Sequence, residues 1–226
     1  MNYGNVRKAE FVKRLNRFIC EIVIDTRVQL CHVKNTGRLS ELLTSGAEIY
    51  VTESSNAERK TKYDLVTVVK DGEFVNIDSI APNIATGEYL RKAYPNAKIT
   101  PEKKYGNSRF DFYIENGSKK GFIEVKGVTL FRDGKALFPD APTDRGIKHL
   151  AELCKSVNEG YFAKVFFVIA ADTKGRLRFS PNRKVGEDFA NALASAKNCG
   201  VEICAFDCNV TAESIAIKEQ IDVVIN

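Results

Sequence analysis

The chain has no apolar run approaching the roughly 18 residues of a membrane span. Its first residues, MNYGNVRKAEFVKRLNRF, have neither the apolar core nor the small-residue cleavage site of a secretory signal. Together these absences predict a cytoplasmic protein with no membrane partner. Histidine is scarce, with two residues, and both lie far from the clustered cysteines. None of the six cysteines (Cys20, Cys31, Cys154, Cys199, Cys204 and Cys208) forms a C-x-x-C pair. The last three are spaced C-x4-C-x3-C, looser than the pairs zinc sites use and short of four ligands, so buried reduced thiols are expected. There is no internal repeat and no low-complexity tract. No helix-turn-helix is evident, which argues against a sequence-specific regulator of that class.

What is present is an ordinary globular composition, 44% hydrophobic and 28% charged over 226 residues, enough for one large domain or two modest ones. Net charge is +5, and its distribution says more than its size. KRLNRF carries Lys13, Arg14 and Arg17, and RKTK carries Arg59, Lys60 and Lys62. KGRLRFSPNRK, residues 174–184, holds five basic residues and no acid. Each cluster alone is compatible with a solvated face. Several together point to a phosphate-backbone partner.

Residues 1–82 read as short strands rich in β-branched and aromatic residues: RFICEIVID, RVQLCHVK, EIYVTES, YDLVTVVKDG and EFVNID. Five closely spaced strands predict a small β-barrel, with the OB-fold as the nucleic-acid-binding example. The stretch APN at 81–83 ends this section, Pro82 disfavouring helix at Ala81. Residues 83–226 read as α/β, with a mixed sheet between helices. IATGEYLRKAY is one helix, and TDRGIKHLAELCKSVNEGY is a second with Thr143 as N-cap. AKVFFVIAAD is a strand buried on both faces, followed by the helix KVGEDFANALASAKNCG and the strand VEICAFDCNV. The fold class is therefore α/β plus all-β.

The stretch RFDFYIENGSKKGFIEVKGVTL, residues 109–130, is a hairpin with charges in its middle. Asn116-Gly117 is a strong turn signal. A loop centred between Gly117 and Ser118 pairs Phe112 with Ile123 and Phe110 with Val125, and sets Asp111 opposite Glu124. Carboxylates opposed at about 4.5–5.5 Å between Cβ atoms repel, so one is protonated or a cation lies between them. Oxygen ligands of this kind suit Mg²⁺ or Mn²⁺. Lys126, two residues on, shares the face of Glu124. The same alternation also describes a half-solvated sheet face with surface ion pairs.

The D-x12-E-x-K spacing resembles the core of the PD-(D/E)xK nucleases. More specific segments surround it: HVKNTGRLSELL at 32–43, RKTKYDLV at 59–66, FPDAPTDRGIKHL at 138–150 and RFSP at 178–181. Their identity and order resemble the sugar fermentation stimulation protein family over almost the whole chain. The family's H-C-P-N-T-G stretch is HVKNTG here, and its Met-type position after GR is Leu39.

The resemblance implies an N-terminal OB-like β-barrel followed by a restriction-endonuclease-like (PD-(D/E)xK) mixed-sheet domain. It implies nonspecific DNA binding, mostly through backbone phosphates, and a regulatory link to maltose metabolism. Asp111 and Glu124 would be metal ligands for Mg²⁺ or Mn²⁺, and Lys126 would position the attacking water or stabilise charge. Such nucleases often take another acid from the preceding helix, and Glu88 is the candidate, although it also fits an exposed helix position.

Nucleic-acid contacts are expected from Arg14, Arg17, Arg38, Arg59, Lys60, Lys62 and Arg109, and from Arg145, Lys148 and His149 at the start of the second helix. His32, Asn35 and Thr36 are either turn residues or a binding loop on the barrel. Phe11, Phe18 and Tyr63 either stack bases or fill the core. A homodimer is open. The alternatives to a metal-dependent nuclease are an inactive DNA-binding regulator and a module that binds a small ligand.

Overall fold

The computed structural model describes residues 1–54, 56 and 58–225. Its N-terminal part contains β1 (Val6–Arg14), β2 (Ile19–Ile24), β3 (Arg27–Val33), β4 (Glu48–Glu53), β5 (Tyr63–Lys70) and β6 (Glu73–Asn76). The strand order is β3-β2-β1-β4-β5, and β3 closes the barrel by pairing in parallel with β5 from Cys31↔Tyr63 to Val33↔Leu65. Strand alternation turns Ala9, Phe11, Cys20, Ile22 and Ile24 into one core while charged residues face outward. Strand β1 is absent from the sequence-based set of strands. In VRKAEFVKR the outward charges outnumber the inward apolar residues, so the strand pattern is weak. β6 folds back on β5 and leads to the second domain.

That domain runs α1 (Ala81–Ala93), β7 (Lys98–Tyr105), β8 (Ser108–Asn116), β9 (Lys119–Val128), β10 (Leu130–Arg132), β11 (Lys135–Phe138), α2 (Asp144–Asn158), β12 (Phe162–Ile169), β13 (Arg178–Pro181), α3 (Glu187–Asn198), β14 (Glu202–Val210) and β15 (Ile215–Ile221). Six strands form a mixed sheet in the order β15-β14-β12-β9-β8-β7, with β9, β12 and β14 parallel. One face packs on α1 through Leu90, Ile114, Ile123, Val125 and Phe206. The other packs on α2 and α3 through Phe122, Leu150, Leu153, Phe167 and Leu193. Among the described residues, no helix is long and apolar enough to cross a membrane.

Helix α1 begins at Ala81 rather than after the APN stretch. Pro82 lies in its first turn, where a missing N–H costs nothing and the fixed φ already suits a helix. Thr143 caps α2, its Oγ1 accepting from the Gly146 N–H at 3.1 Å. All six cysteines are free thiols, and Cys204 and Cys208 are buried in the sheet.

The hairpin departs from the expected register at one place. Its ladder runs from Asn116↔Lys119 through Phe112↔Ile123 and ends there. Neither Asp111 with Glu124 nor Phe110 with Val125 is a ladder pair. Phe110 joins the core under α2, whereas Phe112 joins the core under α1, so the strand twists at Asp111. Glu102 on the neighbouring β7, between the residues paired with Phe110 and Phe112, has a φ of +53°. The backbone N–H of Val125 is taken by the Asp111 carboxylate instead of a ladder carbonyl.

The domains meet along a continuous seam. The Asn76 N–H donates to the Ala170 carbonyl at 2.8 Å, and Val75 forms a bridge with Ala171. Lys174 and Arg176, the start of the basic stretch 174–184, bind Glu73 of β6 at 2.9 and 3.0 Å. Those two cations therefore tie the domains together. They are not free for a phosphate backbone.

Candidate active site

The splayed end of the hairpin, where β8 leaves β9, carries the charged cluster. Asp111 is gripped at both oxygens. Oδ2 accepts from the Val125 N–H at 2.7 Å, and Oδ1 accepts from Nδ2 of Asn83 in the first turn of α1, also at 2.7 Å. Burial, then the nearby Glu124 charge, push the Asp111 carboxyl up to about 6.

Glu124, on β9, is buried. Its Oε1 receives Lys126 Nζ at 2.5 Å and also meets Nδ1 of His149, which is buried on α2. Burial raises the Glu124 carboxyl, but the His149 hydrogen bond and the Lys126 charge outweigh it and hold it below the usual range. The Arg145 Nε–H points at His149 Nε2 at 3.5 Å. Arginine can only donate, so Nε2 is the accepting nitrogen and Nδ1 the one that carries a proton toward Glu124.

One atom is left over. Oε2 of Glu124 is buried and has no hydrogen-bond partner among the described residues. A buried, unpartnered carboxylate oxygen is costly unless a cation or water completes it. It lies beside a second carboxylate whose ionisation is disfavoured by that proximity. A divalent cation would relieve both penalties, and an all-oxygen donor set suits Mg²⁺ or Mn²⁺. Among the described residues no cluster of three or more His, Cys, Asp or Glu side chains is placed to share an ion. Two carboxylates with water in the remaining positions is a common Mg²⁺ arrangement. Asp111 and Glu124 thus fit such an ion.

Glu88 does not join them. Its half-exposed carboxylate pairs with the Met1 ammonium, because α1 turns Asn83 and Gly87, not Glu88, toward β8. Asn83 occupies the place expected of a helix acid. Sequence reasoning missed it because an asparagine one residue after a proline looks like turn chemistry.

Comparison with known proteins places the chain in a family. Residues 80–214 match the sugar fermentation stimulation protein RE domain, and residues 12–77 match the SfsA N-terminal OB domain. The chain belongs to the sugar fermentation stimulation protein family. A sugar fermentation stimulation protein homolog from Ruminiclostridium cellulolyticum is 46% identical over 226 residues, 99% of each chain. One from Desulfitobacterium hafniense is 48% identical over 217 residues, covering 95% of this chain and 94% of that one. The solved structure of Pyrococcus furiosus SfsA in complex with Ca²⁺ superposes with a TM-score of 0.86 at 29% identity, covering 100% of this chain and 98% of that one.

The basic residues expected to meet DNA in this family member fall into three groups. Arg14 is spent internally: its guanidinium donates to the carbonyls of Asn16, Arg17, Asn35, Gly37 and Arg38. It shapes the loop at 35–38 and has little left for a phosphate. Arg59 forms a two-pronged pair with Asp64 at 2.9 and 2.6 Å, Lys62 meets Glu53 at 2.8 Å, and Arg109 reaches Glu102 at 4.0 Å. His149 is buried against Glu124, out of reach of a backbone. By contrast, Arg17 and Arg38 are exposed around one shallow depression of the barrel. Arg145, Lys148 and Lys60 are exposed as well. Of the aromatic residues, Phe11 and Tyr63 are core, and Phe18 is about half exposed. His32 binds Asp64 through Nδ1 at 3.0 Å, beside Arg59. Asn35 makes a turn, its Oδ1 accepting from the Gly37 N–H at 2.8 Å.

Proposed function

We propose that this protein binds DNA through backbone phosphates and hydrolyses a phosphodiester at the site formed by Asp111, Glu124 and Lys126, with Mg²⁺ or Mn²⁺ held by the two carboxylates. The observation that carries the reading is the orphaned, buried Oε2 of Glu124 beside a carboxyl already pushed up to about 6. The Ca²⁺ on the Pyrococcus furiosus relative is in keeping with a hard cation and oxygen ligands in this fold. A bound divalent ion would supply charge for the phosphoryl oxygens and a more acidic water.

The chain's own residues have distinct tasks. Asn83 and the Val125 N–H fix Asp111 in one orientation. His149 anchors Oε1 of Glu124, which leaves the buried Oε2 free to bind an ion. The Lys126 ammonium, one-sixth exposed, stabilises negative charge that grows on the phosphate and can orient a water. Arg17, Arg38, Arg145 and Lys148 supply positive charge for the backbone.

The test is to incubate single- and double-stranded DNA and RNA with purified protein and Mn²⁺, Mg²⁺ or a chelator. Metal-dependent cleavage that disappears in Glu124→Ala and Lys126→Ala is expected. Cleavage that survives both substitutions belongs to a contaminant and sinks the reading. Binding without cleavage under any metal would leave a DNA-binding regulator.

A further inference from the structure

A cavity of about 340 Å³ opens between the domains. Four segments wall it: residues 35–37 of the barrel, 76–79, 127–130 at the end of β9, and the loop 137–143. Three of its wall residues connect along the chain to the acidic site. Gly127 follows Lys126, Pro82 precedes Asn83, and Thr143 caps the helix that carries His149. Glycines let its walls approach one another closely. A Cβ on Gly37 would come within 2.7 Å of Asp140 Oδ2, and one on Gly127 within 2.9 Å of the Pro82 ring.

The chemistry of the walls is specific. Among the described lining residues there is no lysine or arginine. Lys34, just behind, is committed to the fully buried Asp78 at 2.6 Å. A phosphate would find no counter-charge there. Ile77, Pro82, Leu137 and Pro139 offer flat apolar surface, and Thr36 and Thr129 add hydroxyls. Asp140 is an exposed carboxylate with no hydrogen-bond or ion-pair partner among the described residues, so it can accept from an amine or a sugar hydroxyl. Apolar surface and convergent polar groups in one concave site are the usual form of a small-molecule subsite.

We infer that this cavity holds a nucleoside next to the scissile phosphate, so that the substrate is an unpaired nucleotide in a single strand or at a strand end. The inference rests on the phosphodiesterase reading and adds the substrate class. A phosphodiester at Asp111 and Glu124 carries a nucleoside on each side, and this cavity, whose walls offer no cation to a phosphate, accepts one. A base paired within a duplex cannot enter without being unstacked, which costs a few kcal/mol and is least for a base already single-stranded.

Calorimetric titration of the full chain in Ca²⁺ tests this with dAMP, deoxyribose 5-phosphate and inorganic phosphate as probes. Thr36→Trp plugs the cavity from its exposed rim, and Asp140→Ala removes the acceptor. dAMP should bind at least ~10-fold more tightly than inorganic phosphate. Thr36→Trp should erase that preference, Asp140→Ala should reduce it, and Ca²⁺ affinity should be unchanged in both. Equal affinity for dAMP and phosphate, or a preference that survives Thr36→Trp, overturns the nucleoside site. Cleavage assays on the same proteins keep the two readings apart. Preferential dAMP binding without any metal-dependent cleavage supports the nucleoside site and sinks the phosphodiesterase. Cleavage at equal rates on single strands and blunt duplex, without dAMP preference, does the reverse.

Discussion

His149 holds Glu124 by one oxygen only: Nδ1 meets Oε1, while Oε2 is buried without a partner among the described residues. A histidine that donates to a ligating carboxylate sets the orientation of that carboxylate. His149→Ala should therefore weaken Mn²⁺ and Ca²⁺ binding by ~10–100-fold, the usual range for such supporting partners. His149→Asn, which can put an amide N–H near the Nδ1 position, should recover part of the loss. Metal titration by calorimetry or by the Mn²⁺ resonance signal reads this directly. A variant that loses thermal stability but keeps full metal affinity would reduce His149 to a packing role.

Asp111 makes the protein's stability depend on pH in a direction opposite to most carboxylates. Its carboxyl is pushed up to about 6, above the unfolded value of 3.8, first by burial and then by Glu124. The folded state therefore binds a proton more readily than the unfolded state. The contribution of this group improves as pH falls through 6 toward 4, and its penalty is full above 6. Asp111→Asn removes the penalty, and the replacement's amide oxygen can still accept from the Val125 N–H. Without metal, it should be stabilised by ~1–3 kcal/mol at pH 8, a rise of several degrees in Tm, with the difference vanishing near pH 4. Glu124, held below its ordinary range, has the opposite sign, so Glu124→Gln should destabilise at neutral pH. Metal affinity should fall as pH drops below 6, where a proton competes for Asp111. Thermal melts of both variants across pH would refute this if Asp111→Asn melted below the parent at pH 8.

The hairpin and its charges were legible because their signals are local. Asn116-Gly117 selects a two-residue loop, and the ladder from Asn116↔Lys119 to Phe112↔Ile123 follows from it. The break at Asp111 was not legible, because it depends on a side chain displacing a ladder carbonyl. Asn83 and His149 reach the site from helices 28 and 25 positions away along the chain. Periodicity says which face of a helix is apolar but not which strand that face meets. For His149 a signal did exist: it lies with Gly146, Leu150 and Leu153 on the buried stripe of α2, where an exposed phosphate contact was implausible. For β1 the outward charges hid the strand, and only closure of the barrel explains why Ala9 and Phe11 point inward.

Arg14 shows how a basic residue can look like a ligand-binding group and act as a brace. Its guanidinium donates to five backbone carbonyls, four of them in the turn at 16–17 and the loop at 37–38, and the fifth at Asn35. Hydrogen bonds from a charged donor are worth more than neutral ones, and each carbonyl left unpaired adds a penalty. Arg14→Ala should lower stability by ~2–4 kcal/mol. Arg14→Lys should rescue little, since an ammonium cannot span the fork. Chemical denaturation measures the loss. Near-normal stability in the lysine variant would show that charge alone, not the fork, braces the loop.

Exposed and paired cations should separate in the salt dependence of DNA binding. Each phosphate neutralised by a protein cation contributes about 0.9 to the slope of log K against log salt on duplex DNA, and about 0.7 on a single strand. Arg17, Arg38, Arg145 and Lys148 are exposed, and none has an ion-pair partner among the described residues. Arg59 and Lys62 already face Asp64 and Glu53. A paired cation must give up its carboxylate before it can neutralise a phosphate, and the freed carboxylate then repels the backbone. Alanine in place of any one of the first four should lower the slope by about 0.7–0.9 and weaken binding evenly across sequences. Arg59→Ala and Lys62→Ala should leave the slope within error, because a cation already paired with a carboxylate neutralises no phosphate. Fluorescence anisotropy across a sodium chloride series distinguishes the groups. Equal loss of slope from Arg59→Ala and Arg38→Ala would mean that the carboxylates do not hold their partners in solution, and the DNA track would then have to include the Asp64 face of the barrel.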